Sequence, residues 1–111
     1  MTDEQRRKLI AASQINRVTY FIEKDEVKRH KVMGKVIDEV YIIVDDYKHM
    51  IQRIQSQEPY WDGSTVAYRT CYYTFDAKGE NIKFGQYAQF LTQKEYSVLL
   101  AKARAKGWPI F

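Results

Sequence analysis

The chain has 111 residues, 45% of them hydrophobic and 14% aromatic, which excludes both a disordered polymer and a peptide too short to enclose a core. Eighteen Lys and Arg against 14 Asp and Glu give a formal net charge of +4, and the single cysteine, Cys71, excludes an intramolecular disulfide. No run is long and apolar enough to span a bilayer and the opening MTDEQRRKL lacks an apolar signal stretch, so one domain over residues 1–111, cytoplasmic and with no membrane partner, is expected.

Thr2 with Gln5 three residues on has capping-box spacing and predicts a short helix to about Ser13, with Leu9 and Ala12 inward. The β-branched and aromatic run from Arg17 to Glu23 predicts a strand. Lys24-Asp25-Glu26 reads as a turn into a second strand over 27–33, although those residues also fit the start of a helix that Gly34 interrupts. From Val36, apolar residues at 36, 37, 40, 43, 44, 47, 50, 51 and 54 fall in one sector at 100° per residue. That spacing predicts a long central helix whose acidic back carries Asp38, Asp45, Asp46, His49, Gln52 and Arg53. Ile42, on the same back, reads as an isolated exposed apolar residue of the ordinary kind, or else as a contact for a homodimer.

Pro59 to Ser64 reads as a loop, with Asp62-Gly63 supplying turn chemistry. Two alternating runs between Thr65 and Gln89 predict a hairpin around Asp76–Glu80, where Gly79 takes positive φ. Alternation puts Tyr68, Thr70, Tyr72, Lys83 and Tyr87 on one side, and Ala67, Cys71, Phe75, Ile82 and Phe84 on the other. Thr92 and Glu95 form a second capping box, and Gly107 with Pro109 stops the C-terminal helix, whose inward stripe is Tyr96, Leu99, Leu100 and Ala103. The order α-β-β-α-β-β-α predicts an α+β fold: an antiparallel sheet of two hairpins packed on one face by the long central helix and the C-terminal helix, the other face free.

Charge follows these segments unevenly. Residues 1–35 hold nine basic against five acidic residues, residues 36–62 two against six, and residues 63–111 seven against three. A basic surface that attracts polyanions and a separate acidic one follow, or else three ordinary solvated faces. His30 and His49 stand in different elements without metal-ligand spacing, and no glycine-rich phosphate loop occurs. No metal, no cofactor and no catalytic residue are expected.

The free sheet face carries the chemistry. Single-stranded nucleic acid is held by aromatic platforms for bases and a positive groove for phosphates. Tyr68, Tyr72 and Tyr87 are candidate platforms, or else ordinary half-buried sheet residues favoured by β-propensity and cross-strand pairing, and Lys83 is a nearby charge; Arg17, Arg29 and Lys31 join them, with Lys28 and Lys35, if the first hairpin extends the same sheet. Arg69 falls on the core side with Ala67, Cys71 and Tyr73, so it pairs with an acid of the central helix, lines a ligand pocket, or marks an error in the face assignment. The leading expectation is a non-enzymatic binder of single-stranded DNA or RNA, a size and composition that suit an accessory protein of a phage or mobile element. The alternatives are a protein-interaction module (an inhibitor or adaptor, pairing as a homodimer) and a binder of a small nucleotide-like ligand between Tyr faces and Arg69.

Overall fold

The computed structural model describes residues 1–24, 29–60, 62–85 and 91–109, with the backbone alone at 20–24 and 29–32. Helix α1 (Asp3–Ala11) starts from Thr2, whose Oγ1 accepts from Gln5 N while Gln5 Oε1 accepts from Thr2 N. The capping box is the predicted one, but the helix stops at Ala11 and buries Ile10 in place of Leu9 and Ala12. Strands β1 (Val18–Lys24) and β2 (Arg29–Val44) pair antiparallel from Val18 opposite Lys35 to Lys24 opposite Arg29. Residues 29–33 are therefore strand, which decides between the two readings of that segment; 25–28 lie outside the described residues.

The predicted central helix does not form. Strand β2 runs on to Val44, Asp45-Asp46 turns the chain, and β3 (Tyr47–Ser56) returns. Seven of the nine residues from Val36 to Val44 are β-branched or aromatic, types that lose rotamer freedom in a helix and pack well on a pleated sheet. Asp45 takes φ 54°, a left-handed value that aspartate tolerates better than most residues. The helical spacing was a coincidence of two short apolar runs either side of a turn. Ile42, assigned to a helix back, is half-buried within β2.

Strands β4 (Val66–Phe75) and β5 (Ile82–Gly85) pair antiparallel as predicted, around a loop in which Gly79 has φ 69° and Asp76 accepts from Glu80 N. Helix α2 (Gln93–Ala105) carries the Thr92–Glu95 capping box and ends at Gly107, φ 75°. Leu99 and Ala103 are fully buried, whereas Tyr96 is largely exposed. The fold is α+β, with one five-stranded antiparallel sheet in the order β1-β2-β3-β4-β5 and two helices, so the element order is α-β-β-β-β-β-α. Among the described residues no helix is long and apolar enough to cross a membrane.

The chain divides into two compact units, one of Met1–Ser13, Val40–Ile51 and Thr70–Phe111, the other of Gln14–Glu39 and Gln52–Arg69. In the first, Met50, Cys71 and Tyr73 form a buried cluster against Tyr41 and Ile82, so Cys71 is the small apolar residue its alternation predicts. Lys48 is fully buried there, its Nζ donating to Ala12 O and lying 4.3 Å from the Tyr41 ring centre. A buried ammonium needs such acceptors, because an unpaired charge in an apolar interior would instead lose its proton. Arg6 spans 4.2 Å to the Phe75 ring and 3.2 Å to Asp46, fixing α1 over this core.

In the second unit Val36, Gln52 and Ile54 are buried, and Gly34 permits their approach. A Cβ at Gly34 would stand 2.8 Å from Ile54 Cγ2 and 3.1 Å from Gln55 O, closer than a side chain can come. Arg69 Nη1 donates to Thr19 Oγ1 at 2.7 Å. On a flat sheet β4 stands three strand spacings, about 14 Å, from β1, farther than one arginine reaches. The strands of this unit therefore curl until β1 and β4 approach across an interior face.

Candidate functional site

The two units differ in how β3 is covered, and that difference decides where a free face exists. In the first unit Lys48, His49, Met50 and Ile51 are consecutive and all buried, so both faces of the strand are covered. In the second, Gln52, Ile54 and Ser56 are buried while Arg53 is half-buried and Gln55 exposed. One face is interior and the other open, the period-two pattern of a strand with a solvent side.

Hydrogen bonds fix which residues share that open face. Ser56 N donates to Thr65 O, and counting back along the antiparallel strands sets Arg53 opposite Tyr68 and Gln52 opposite Arg69. Arg69 Nε and Nη2 both donate to Gln52 Oε1, at 3.0 and 2.6 Å, which confirms that register. Gln52, Arg69 and Thr19 are thus on the interior side, and Arg53 and Tyr68 on the outer one. Arg69 does lie on the core face, as alternation predicted, but an amide and a hydroxyl hold it rather than an acid of a central helix.

The β1–β2 register extends the outer face. Thr19, opposite Gly34, is interior; Val18 with Lys35, Ile22 with Lys31 and Lys24 with Arg29 are therefore on the outer face. Val18, at 58% exposure, and the exposed Lys35 agree with that assignment. Lys24, Arg29, Lys31, Lys35 and Arg53 share one face with Tyr20 and Tyr68, whereas Glu23 falls on the opposite face of the hairpin. Along β2 the spacing from Arg29 to Lys31 is about 6.8 Å, two residues of extended chain. Lys24 stands directly opposite Arg29 in the register.

Of the residues chosen from sequence, Tyr68, Arg29 and Lys31 come together here. Arg69 is on the other face, Arg17 precedes β1 with its Nη1 donating to Gln14 Oε1, and Tyr87 lies outside the described residues. Tyr72 and Lys83 belong to the first unit, where Gly85 pairs with Tyr72 and Lys83 with Thr74 on one side of β4–β5. The Tyr72 ring lies over Gly85, where a Cβ would collide with its ring carbons. Its ring centre is 5.7 Å from Tyr47 and 6.0 Å from His49, so it is one wall of an aromatic cluster. Arg53 and Lys24 also fall on this face, against the sequence expectation: helical spacing over 36–54 puts Arg53 on a helix back, and Lys24-Asp25-Glu26 has the composition of a turn.

His49, 6% exposed, stacks on Tyr47 at 6.1 Å, and its Nδ1 has no hydrogen-bond partner among the described residues. Burial lowers its pKa below the ordinary 6.5, against a smaller upward pull from Glu95. The unfolded chain then binds a proton at a pH where the folded one does not, so stability rises with pH in that window. Unfolding free energy is expected to fall as pH drops below 6.5 and to level off below the folded pKa. Urea unfolding of the parent and of His49→Phe between pH 4.5 and 8, about two units either side of that value, checks this: a pH profile unchanged by the substitution contradicts it.

Among the described residues no group of three or more His, Cys, Asp or Glu converges to hold a metal. Comparison with protein-family models, with curated protein sequences and with solved structures found no match to this chain.

Proposed function

We propose that the protein is a non-enzymatic binder of single-stranded nucleic acid and that the outer face of the second unit is its interface. The observation that carries this reading is the register of β1 and β2, which gathers Lys24, Arg29, Lys31 and Lys35 on one face and sets Lys24 directly against Arg29. A polyanion that binds there releases its condensed counterions, which drives association. Aromatic rings such as that of Tyr68 on this face are platforms on which unpaired bases stack, a contribution of about 1–3 kcal/mol per base that does not depend on salt. Duplex bases are already stacked and cannot use them. The aromatic cluster of the first unit is not needed for this reading.

Fluorescence anisotropy with labelled single-stranded and double-stranded oligonucleotides, at about 50 and 200 mM salt, tests the proposal. Single strands are expected to bind more tightly than duplex, with affinity falling between the two salts but not vanishing. No binding at the lower salt sinks it. The protein-interaction alternative draws on the same face, where Val18 and Ile37 are 58% and 38% exposed. It predicts that the oligonucleotide titration is flat.

A further inference from the structure

Arg53 stands on the outer face of the second unit, opposite Tyr68, and it differs from the other arginines of known contacts. Arg6 reaches Asp46, Arg17 reaches Gln14 and Arg69 reaches Gln52 and Thr19. Arg53 is half-buried, its Nε is buried with no hydrogen-bond partner among the described residues, and no carboxylate among them forms an ion pair with it. A buried donor without an acceptor is rare in folded proteins because it gives up hydration for nothing, and an absent ligand is one of the few causes. On that face Lys35 and Gln55 are exposed at adjoining strand positions, while Glu39, two residues along β2 from Ile37, accepts from Gln14 N with its carboxylate.

We propose that Arg53 is the seat of a phosphate group, bound through the Nε and Nη edge of the guanidinium, with the Tyr68 ring beside it. The inference deepens the nucleic-acid reading and rests on it, in that the phosphate is taken to be carried by a strand's backbone. The planar fork of arginine matches two phosphate oxygens at once, in bonds strengthened by charge on both partners. Because Nε is covered in the free protein, the fork forms by a turn of the guanidinium about its own side chain. That turn exchanges an unpartnered donor for a charge-assisted bond. Lys35 raises the local positive potential, which favours an anion at this position.

The test is the Nε–H resonance of Arg53 in ¹⁵N-labelled protein, identified by its loss in Arg53→Lys. It is followed during titration with inorganic phosphate, thymidine monophosphate, thymidine, acetate and a short single-stranded oligonucleotide at matched ionic strength. Phosphate, the monophosphate and the oligonucleotide are expected to move it, and thymidine and acetate to leave it in place. A shift with acetate as large as with phosphate overturns the proposal in favour of a carboxylate-bearing partner. No shift with phosphate or oligonucleotide, while anisotropy still reports oligonucleotide binding, overturns the Arg53 site and leaves the functional reading standing. A shift with phosphate while anisotropy reports no oligonucleotide binding keeps the site, assigns it to a free phosphate ester and ends the nucleic-acid reading. As an independent measure, Arg53→Lys keeps the charge but loses the fork, and is expected to weaken oligonucleotide binding about tenfold with an unchanged salt slope. Equal affinity in that variant overturns the bidentate contact.

Discussion

Replacing Arg29, Lys31 and Lys35 together by glutamine is expected to weaken single-strand binding roughly 100-fold at about 0.1 M salt and to lower the salt slope by about 2, since each phosphate contact on a single strand contributes a slope of about 0.7. The three residues occupy one face of β2, and the strand pairing that holds them there uses backbone groups only, so glutamine leaves the register intact. The informative control removes the same charge elsewhere. Lys78, Lys94 and Lys106 are exposed residues of the first unit, and changing all three to glutamine lowers the net charge equally. If the two triple variants lose affinity alike, net charge alone drives binding and the β1–β2 face has no special part. If only the β2 triple loses it, the local face is the interface.

A second large effect is expected inside the second unit. Gln52 is fully buried and its Oε1 accepts two hydrogen bonds from the Arg69 guanidinium. Leucine has nearly the same volume but no acceptor, so Gln52→Leu leaves a partly buried cation short of its main neutral partner. Bonds to charged groups and the desolvation of what remains unpaired put the loss at about 2–3 kcal/mol, or on the order of 10 °C in Tm for a chain of this length. Adding Arg69→Met to Gln52→Leu replaces the whole polar group by apolar side chains, and most of the loss should return. Thermal and urea unfolding of the two single variants and the double variant measure the coupling between the residues. A Gln52→Leu protein as stable as the parent would show that Thr19 and the remaining neighbours satisfy Arg69 by themselves. The polar interior would then be a minor contributor to the fold.

Arg69 and Arg53 illustrate what could be read from residues alone. Alternation along β4 placed Arg69 on the core side, and it is there; its partners could not be named because Gln52 and Thr19 are 17 and 50 residues away. Arg53 was lost for a different reason. A strand buried on both faces has a continuous run of apolar and buried residues, and when two such runs flank a turn the spacing imitates a helix. The density of β-branched residues from Val36 to Val44 was the signal that contradicted the helix, and it deserved more weight than the periodicity.

The local chemistry of this protein is written in short sequence intervals. Thr2 to Gln5 and Thr92 to Glu95 are three residues apart, Gly79 and Gly107 act through their own φ, and the pairing of β4 with β5 follows from one turn; each depends on contacts within a few residues and so was determined by the sequence itself. Which face of the sheet stays open was not. That required knowing that β1 and β2 join β3 and β4 in one sheet, that Gly34 lets the strands curl around Gln52 and Arg69, and that β3 is covered on both sides in the first unit but on one side in the second. Long-range pairing and burial decide such matters, because a side chain's exposure depends on what distant segments pack against it, and no interval of the chain contains that information.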